Sequence, residues 1–75
     1  MKPFDSLTES EAHVLALLCC GFSLYEIAEK RFVNIQTVRS QTKGVLRKLK
    51  VRSQGQAIAL AYQTGWFIPD EEEWA

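Results

Sequence analysis

The stretch QTVRSQTKGVLRKLK, residues 36–50, constrains the fold of this 75-residue chain most strongly. An α-helix turns by about 100° per residue, so four residues of the stretch fall on one stripe: Val38, Thr42, Val45 and Leu49. A polar and cationic face lies beside this stripe and spans about 100°. It comprises Gln36, Arg39, Ser40, Lys43, Arg47 and Lys50. Lys48 points away from both surfaces. The stretch predicts a helix that is covered by other elements on one side and cationic on the next.

Polar capping residues predict two helices before this one. Thr8, followed by Glu11 three residues later, has the spacing of a capping box. The helix that it begins carries apolar residues at helical spacing and ends at Gly21; these are Val14, Leu15, Leu17 and Leu18. Ser23 caps a shorter helix, LYEIAEKR, whose inward-facing residues are Leu24, Ile27 and Ala28.

Asn34 caps the cationic helix, and a fourth helix runs from about Ser53 to Gln63. The second and third helices are joined by only a few residues, which is typical of a helix-turn-helix. We therefore expect an all-α fold, a four-helix helix-turn-helix domain. A chain of this size buries only about 60% of its unfolded surface, so one small core is expected.

The charges are sorted along the chain. Nine basic and nine acidic residues give a net charge of zero, yet Lys30 to Arg52 holds eight cations and no acid. These cations could form a surface that binds a polyanion, or they could simply be a solvated face on a small helical bundle. Such a face often balances its cations with acids four residues away, and the cationic helix has none. The pattern favours a surface that binds a polyanion, and a helix of this kind fits the DNA major groove.

Several other classes of protein are disfavoured. No apolar run approaches 18 residues and the N-terminus lacks a signal peptide's apolar core, so we expect a cytoplasmic protein without membrane contact. Cys19 and Cys20 are adjacent, which is not the spacing of a metal site, and we expect reduced thiols packed as small apolar groups. No nucleophile and base stand in a familiar order. We expect no enzyme activity, no metal and no cofactor.

The chain resembles the LuxR/GerE-type helix-turn-helix family over about Leu7 to Ala61. The resemblance is carried by LTESEAHVL, Gly21, EIAEKRF, TVR, KL-VRS and Ala57. Members of this family are bacterial transcription factors that bind DNA through four helices, usually as dimers. If the chain is a whole protein, with six residues before Leu7, it is similar to the small stand-alone members; the alternative is a domain cut from a longer regulator.

The resemblance implies roles for individual residues in binding double-stranded DNA. Arg39 and Lys43 match positions that contact bases in several members, and Ser40 occupies another common base-contact position. Thr37 and Arg47 match positions that touch phosphates. We also expect Gln36 and Lys50, on the same cationic face, to contact phosphates.

Five residues depart from the family pattern. Gln41 replaces a usual His, Arg31 a usually buried Leu, and Gln54 an Arg that precedes the fourth helix. Asn34 replaces a Ser cap and preserves the capping chemistry. Lys50 replaces a Gly after the third helix, so we expect it to adopt a left-handed conformation.

The predicted organisation is an N-terminal arm (1–6), the helix-turn-helix domain (7–65) and an aromatic, acidic tail (66–75). On the fourth helix, Ala57, Leu60, Ala61 and Thr64 are expected to face the core. The opposite side predicts a homodimer interface formed by Gly55, Ala59, Tyr62 and, if the helix extends that far, Trp66.

The predicted function is that of a sequence-specific DNA-binding transcription regulator with its third helix in the major groove. The alternative is a protein-interaction module that binds and modulates another transcription regulator or RNA polymerase. Its docking element would be the tail, where Trp66, Phe67 and Trp74 flank acidic residues 70–73.

Overall fold

The computed structural model describes residues 3–67, which contain four α-helices after a short 3-10 helix and no strand. The 3-10 helix is Pro3–Ser6, and the α-helices are α1 (Glu9–Cys19), α2 (Leu24–Arg31), α3 (Ile35–Leu49) and α4 (Gln54–Gln63). The predicted all-α fold is confirmed. The acidic segment 70–73 and Trp74 lie outside the described residues.

The predicted caps are present at the starts of α1, α2 and α3. Thr8 and Glu11 form a reciprocal capping box, in which the Thr8 side chain accepts from the Glu11 amide and the Glu11 carboxylate accepts from the Thr8 amide. Ser23 forms a second capping box, with Glu26. The Asn34 side chain accepts from the Gln36 amide at 2.7 Å. These bonds satisfy amides that have no partner inside the helix, so each helix begins at a defined residue.

Helix α1 lies between two parts of the core. On one side, Leu15, Ala16 and Cys19 pack with residues of α3 and α4. On the other side, Val14, Leu17 and Leu18 pack with Ile27 and Ala28 of α2 and with Val38 of α3. The predicted stripe of α3 is buried throughout, and the Thr42 hydroxyl donates to the carbonyl oxygen of Val38 at 2.8 Å. The cationic helix is thus fixed against α1 along its apolar side.

The prediction for α4 is confirmed in part. Ala57 and Ala61 are fully buried and Leu60 is half-buried, but Thr64 is exposed and donates to the Leu60 carbonyl at 2.8 Å. The prediction that Thr64 faces the core was wrong, because α4 ends at Gln63 and Thr64 is its C-cap.

Aromatic residues after α4 pack against the N-terminal segment and the core. Trp66 lies beyond the end of α4, half-buried, and its ring stacks on Phe4 with centroids 5.1 Å apart. Phe67 is buried in the core, and the Tyr62 ring meets it edge-on at 5.6 Å. The N-terminal segment and the residues after α4 therefore pack against the same domain.

The two cysteines differ from the prediction that both pack as apolar groups. Cys19 is buried, whereas Cys20 is exposed. Burial, followed by the neighbouring Cys20, raises the pKa of the Cys19 thiol to about 11. Cys19 therefore stays protonated near neutral pH. Across residues 3–67, no group of His, Cys, Asp and Glu has a metal-binding arrangement.

No helix between residues 3 and 67 combines the length and the apolar character needed to cross a membrane.

Candidate nucleic-acid interface

The candidate interface is the cationic face of α3, formed by Gln36, Arg39, Ser40, Lys43, Arg47 and Lys50. All six residues are exposed, as is Thr37 beside them. In the part of the chain from residue 3 to residue 67, none of its four cations has a carboxylate within ion-pairing distance. Their charge is therefore available to a ligand. An exposed row of cations attracts polyanions by long-range electrostatics.

Helix α2 and the cationic helix form the helix-turn-helix unit. Three residues, Phe32 to Asn34, connect them. Phe32 has a left-handed backbone (φ 56°), and its amide donates to the carbonyl oxygen of Glu29. The Val33 amide then donates to the carbonyl oxygen of Ala28. These bonds terminate α2 tightly, so the chain changes direction within a turn of the length usual for this motif.

The other end of α3 terminates through a second left-handed residue. Lys50 has φ 58°, as predicted, and its amide donates to the carbonyl oxygen of Arg47 at 3.2 Å. Its side chain remains exposed at the end of the cationic face. Termination of the helix at Lys50 thus keeps a cation where this family usually has a glycine.

A partly buried ion pair joins α3 to α1 outside the cationic face. Lys48, which we expected to point away from both surfaces, binds Glu11 with Nζ 2.6 Å from Oε1. Burial opposes ionisation of Glu11, but the bonds from Lys48 and Thr8 outweigh it and hold the pKa of the carboxyl below its ordinary value. Gly44 makes the approach possible, because a Cβ at this position would overlap the Glu11 carboxylate. Lys48 is therefore paired with a carboxylate within the domain and does not belong to the cationic face.

Tyr25 of α2 contacts the predicted base-reading Arg39. The guanidinium Nη2 donates to the Tyr25 hydroxyl oxygen at 3.1 Å, and the guanidinium carbon lies 5.8 Å from the ring centroid. Tyr25 is 65% exposed. Tyr25 and Arg39 are separated by 14 positions along the chain, so no local pattern in the sequence indicated this contact.

Two of the departures from the family pattern are partners of each other. Arg31 at the end of α2 donates through Nη1 to the Gln41 side-chain oxygen at 2.9 Å, and both residues are half-buried. Partial desolvation, followed by the Arg31 guanidinium, lowers the pKa of nearby His13. Near neutral pH, His13 is therefore mainly neutral, and Arg31 carries the positive charge beside it. The pair links α2 to α3 beside the cationic face, and it explains how a charged residue occupies a position where the family usually has leucine.

The predicted dimer residues lie at two different sites. Gly55, Ala59 and Tyr62 are exposed on α4, whereas Trp66 is half-buried against Phe4. The Tyr62 hydroxyl donates to the carbonyl oxygen of Cys19 at 2.7 Å, which fixes the orientation of its ring. Trp66 is therefore not a continuation of the α4 surface.

Comparison with known proteins agrees with this geometry. The family described as bacterial regulatory proteins, luxR family, matches residues 5–61. Relatives include the response regulator protein VraR of Staphylococcus aureus (strain NCTC 8325 / PS 47), of Staphylococcus saprophyticus and of Staphylococcus epidermidis. Each is 37% identical over 60 residues, which cover 80% of this chain and 29% of the relative. The chain thus spans less than a third of the length of these relatives.

The match covers α1, α2, α3 and most of α4, including the whole cationic face. The family is a DNA-binding, non-enzymatic one. The chain therefore belongs to the luxR family of bacterial regulatory proteins and has the helix-turn-helix fold of a DNA-binding transcription regulator domain.

Proposed function

We propose that this chain binds double-stranded DNA sequence-specifically with α3 in the major groove. Arg39, Ser40 and Lys43 contact base edges, and the phosphate contacts come from Gln36, Thr37, Arg47 and Lys50. The observation that carries the proposal is the exposed row of cations on α3, whose other side is fixed in the core. Arg and Lys recognise the O6 and N7 atoms of guanine from a helix placed in this way.

The protein would act as a transcription regulator, as members of the luxR family do. Binding to chromosomal DNA would place it in the bacterial cytoplasm. We also propose that it binds as a homodimer through α4, with Gly55, Ala59 and Tyr62 at the seam. Docking of a protein partner on the acidic C-terminal segment stays a prediction.

The test begins with selection of a preferred duplex from random DNA by the parent protein. Affinities for this duplex and for a scrambled one are then measured by fluorescence anisotropy. Arg39→Ala should cost about 1–3 kcal/mol on the preferred duplex and relax base choice at one position. Lys30→Ala, which removes a cation from α2 instead, is the matched control and should retain the preference.

Arg47→Ala separates binding to phosphates from binding to bases. It should weaken binding to both duplexes about equally and reduce the magnitude of the log-affinity versus log-salt slope by about 0.9 for each phosphate that Arg47 neutralises in the parent complex. If Arg39→Ala discriminates between the duplexes as well as the parent does, α3 does not read bases through Arg39. If Arg47→Ala changes base preference and leaves the salt slope unchanged, its assignment to phosphate is wrong.

A further inference from the structure

We propose that Tyr25 is a positioning residue for base recognition, which holds the Arg39 guanidinium in its reading orientation. This inference rests on the proposed function, because it concerns how Arg39 contacts a base. Tyr25 lies on α2 and Arg39 on α3, so the contact joins the two helices of the helix-turn-helix on the exposed side.

Two separate interactions hold the guanidinium. Nη2 donates to the Tyr25 hydroxyl at 3.1 Å, and the aromatic ring lies within cation–π distance, 5.8 Å from the guanidinium carbon. The hydrogen bond sets the direction of one N–H group, and the ring adds an electrostatic attraction for the cation at this distance. Together they restrict a side chain that is otherwise exposed and flexible.

The contact leaves Arg39 able to bind a base. A guanidinium has five N–H donors, and the bond to Tyr25 uses one of them. The remaining donors are sufficient for a two-point contact to guanine O6 and N7. An arginine held in place loses less rotamer freedom on binding than a free one. Tyr25 should therefore strengthen discrimination between bases without adding charge to the interface.

Tyr25 can be altered without disturbing the core, because it is 65% exposed. Tyr25→Phe removes the hydrogen bond and keeps the ring, whereas Tyr25→Leu removes both. Phe32→Leu is the matched control, since it replaces another exposed aromatic ring, just after α2, at a residue outside the proposed DNA-binding and dimer surfaces. Circular dichroism establishes that each variant folds as the parent does.

The measured quantity is selectivity, the ratio of affinities for the preferred and scrambled duplexes. Tyr25→Leu should lower it by about three- to ten-fold and Tyr25→Phe by a smaller factor, in line with the strength of exposed cation–π and hydrogen-bond contacts. The salt slope should stay at the parent value, because tyrosine carries no charge. In a double-mutant cycle, adding Tyr25→Leu to Arg39→Ala should change selectivity by less than about twofold.

A measurement without DNA tests the restraint directly. Nitrogen relaxation of the Arg39 Nε–H group should show faster and larger motion in Tyr25→Leu than in the parent and in Phe32→Leu.

Three outcomes would overturn the inference while leaving the proposed function intact, provided that Arg39→Ala reduces selectivity. Tyr25→Leu could keep the parent's selectivity, which would make the contact irrelevant to reading. It could weaken binding to both duplexes equally, which would mean that Tyr25 contacts the DNA backbone and does not position Arg39. It could raise selectivity, which would mean that the contact withholds Arg39 from the base. If Arg39→Ala itself keeps full selectivity, the proposed function and this inference fail together.

Discussion

Lys50 and Phe32 each occupy a backbone conformation that favours glycine. Their φ angles are 58° and 56°, and both residues follow the last residue of a helix. A side chain in the left-handed region costs about 1–2 kcal/mol. Lys50 extends the row of cations on α3, so its side chain offers a reason to retain this cost. Phe32 is 96% exposed and offers no packing in return within the described chain.

We predict that Lys50→Gly stabilises the fold and weakens DNA binding. The free energy of unfolding should rise by about 0.5–1 kcal/mol, because glycine adopts the left-handed region freely but loses more backbone entropy on folding. Removal of a cation that we propose to bind phosphate should weaken all duplexes and reduce the magnitude of the salt slope by about 0.9 for each phosphate that Lys50 neutralises in the parent complex. Urea denaturation and anisotropy titrations at several salt concentrations provide the two measurements.

Phe32→Gly is the control for Lys50→Gly, since it relieves the same backbone conformation without removing a cation. It should stabilise the protein by a similar amount and keep the parent's salt slope. An unchanged salt slope in Lys50→Gly would remove Lys50 from the residues that bind phosphate.

Helices α1 and α3 approach each other closely at Gly44, outside the cationic face. The Glu11 carboxylate lies over the backbone of Gly44 and binds Lys48 one turn further along. This arrangement needs a glycine on α3, even though glycine within a helix costs about 1 kcal/mol relative to alanine. Together with the buried stripe of α3, this contact holds α3 against α1 and leaves its cationic face outward.

We predict that Gly44→Ala lowers the free energy of unfolding by about 1–3 kcal/mol, because the added methyl group displaces the Glu11 carboxylate from its partners. Gly55→Ala in α4 is the matched control. A Cβ at Gly55 would meet nothing closer than the Ser53 hydroxyl at 3.9 Å, so this change should stabilise the protein by up to about 1 kcal/mol. Urea denaturation of both variants at low protein concentration gives the comparison. Equal stability of the two would show that the contact over Gly44 is not restrictive.

We propose that two copies of the domain assemble on DNA through α4. Gly55, Ala59 and Tyr62 leave a small or aromatic surface on α4 where a monomer would normally expose charged residues. Two domains related by a two-fold axis through this surface would present two α3 helices to successive major grooves. Half-sites about one helical turn apart would then form an imperfect palindrome.

We predict that Ala59→Glu weakens the dimer by at least about tenfold, because it places like charges across the seam. His13→Glu adds an acid at an exposed position of α1 and should leave the dimer unchanged. Sedimentation gives the dimerisation constants, and circular dichroism tests that both variants fold. The dimer is ruled out if the parent remains monomeric at high concentration and binds a palindromic duplex one protomer at a time without cooperativity.

Local sequence was sufficient to predict most of the fold. Caps at Thr8, Ser23 and Asn34, the buried stripe of α3 and the left-handed Lys50 all follow from residues within a turn or two of each other. These features depend on amide satisfaction, helical periodicity and backbone sterics, which act at short range along the chain. The exposed cationic face was predictable for the same reason.

Contacts between helices could not be predicted in this way. Arg31 with Gln41, Tyr25 with Arg39 and Lys48 with Glu11 join residues that are 10, 14 and 37 positions apart. Their geometry depends on how the helices cross, which no spacing along the chain specifies. Packing of α2 and α3 on α1 therefore decides which cations form hydrogen bonds to side chains of another helix, which one pairs with a carboxylate, and which remain exposed.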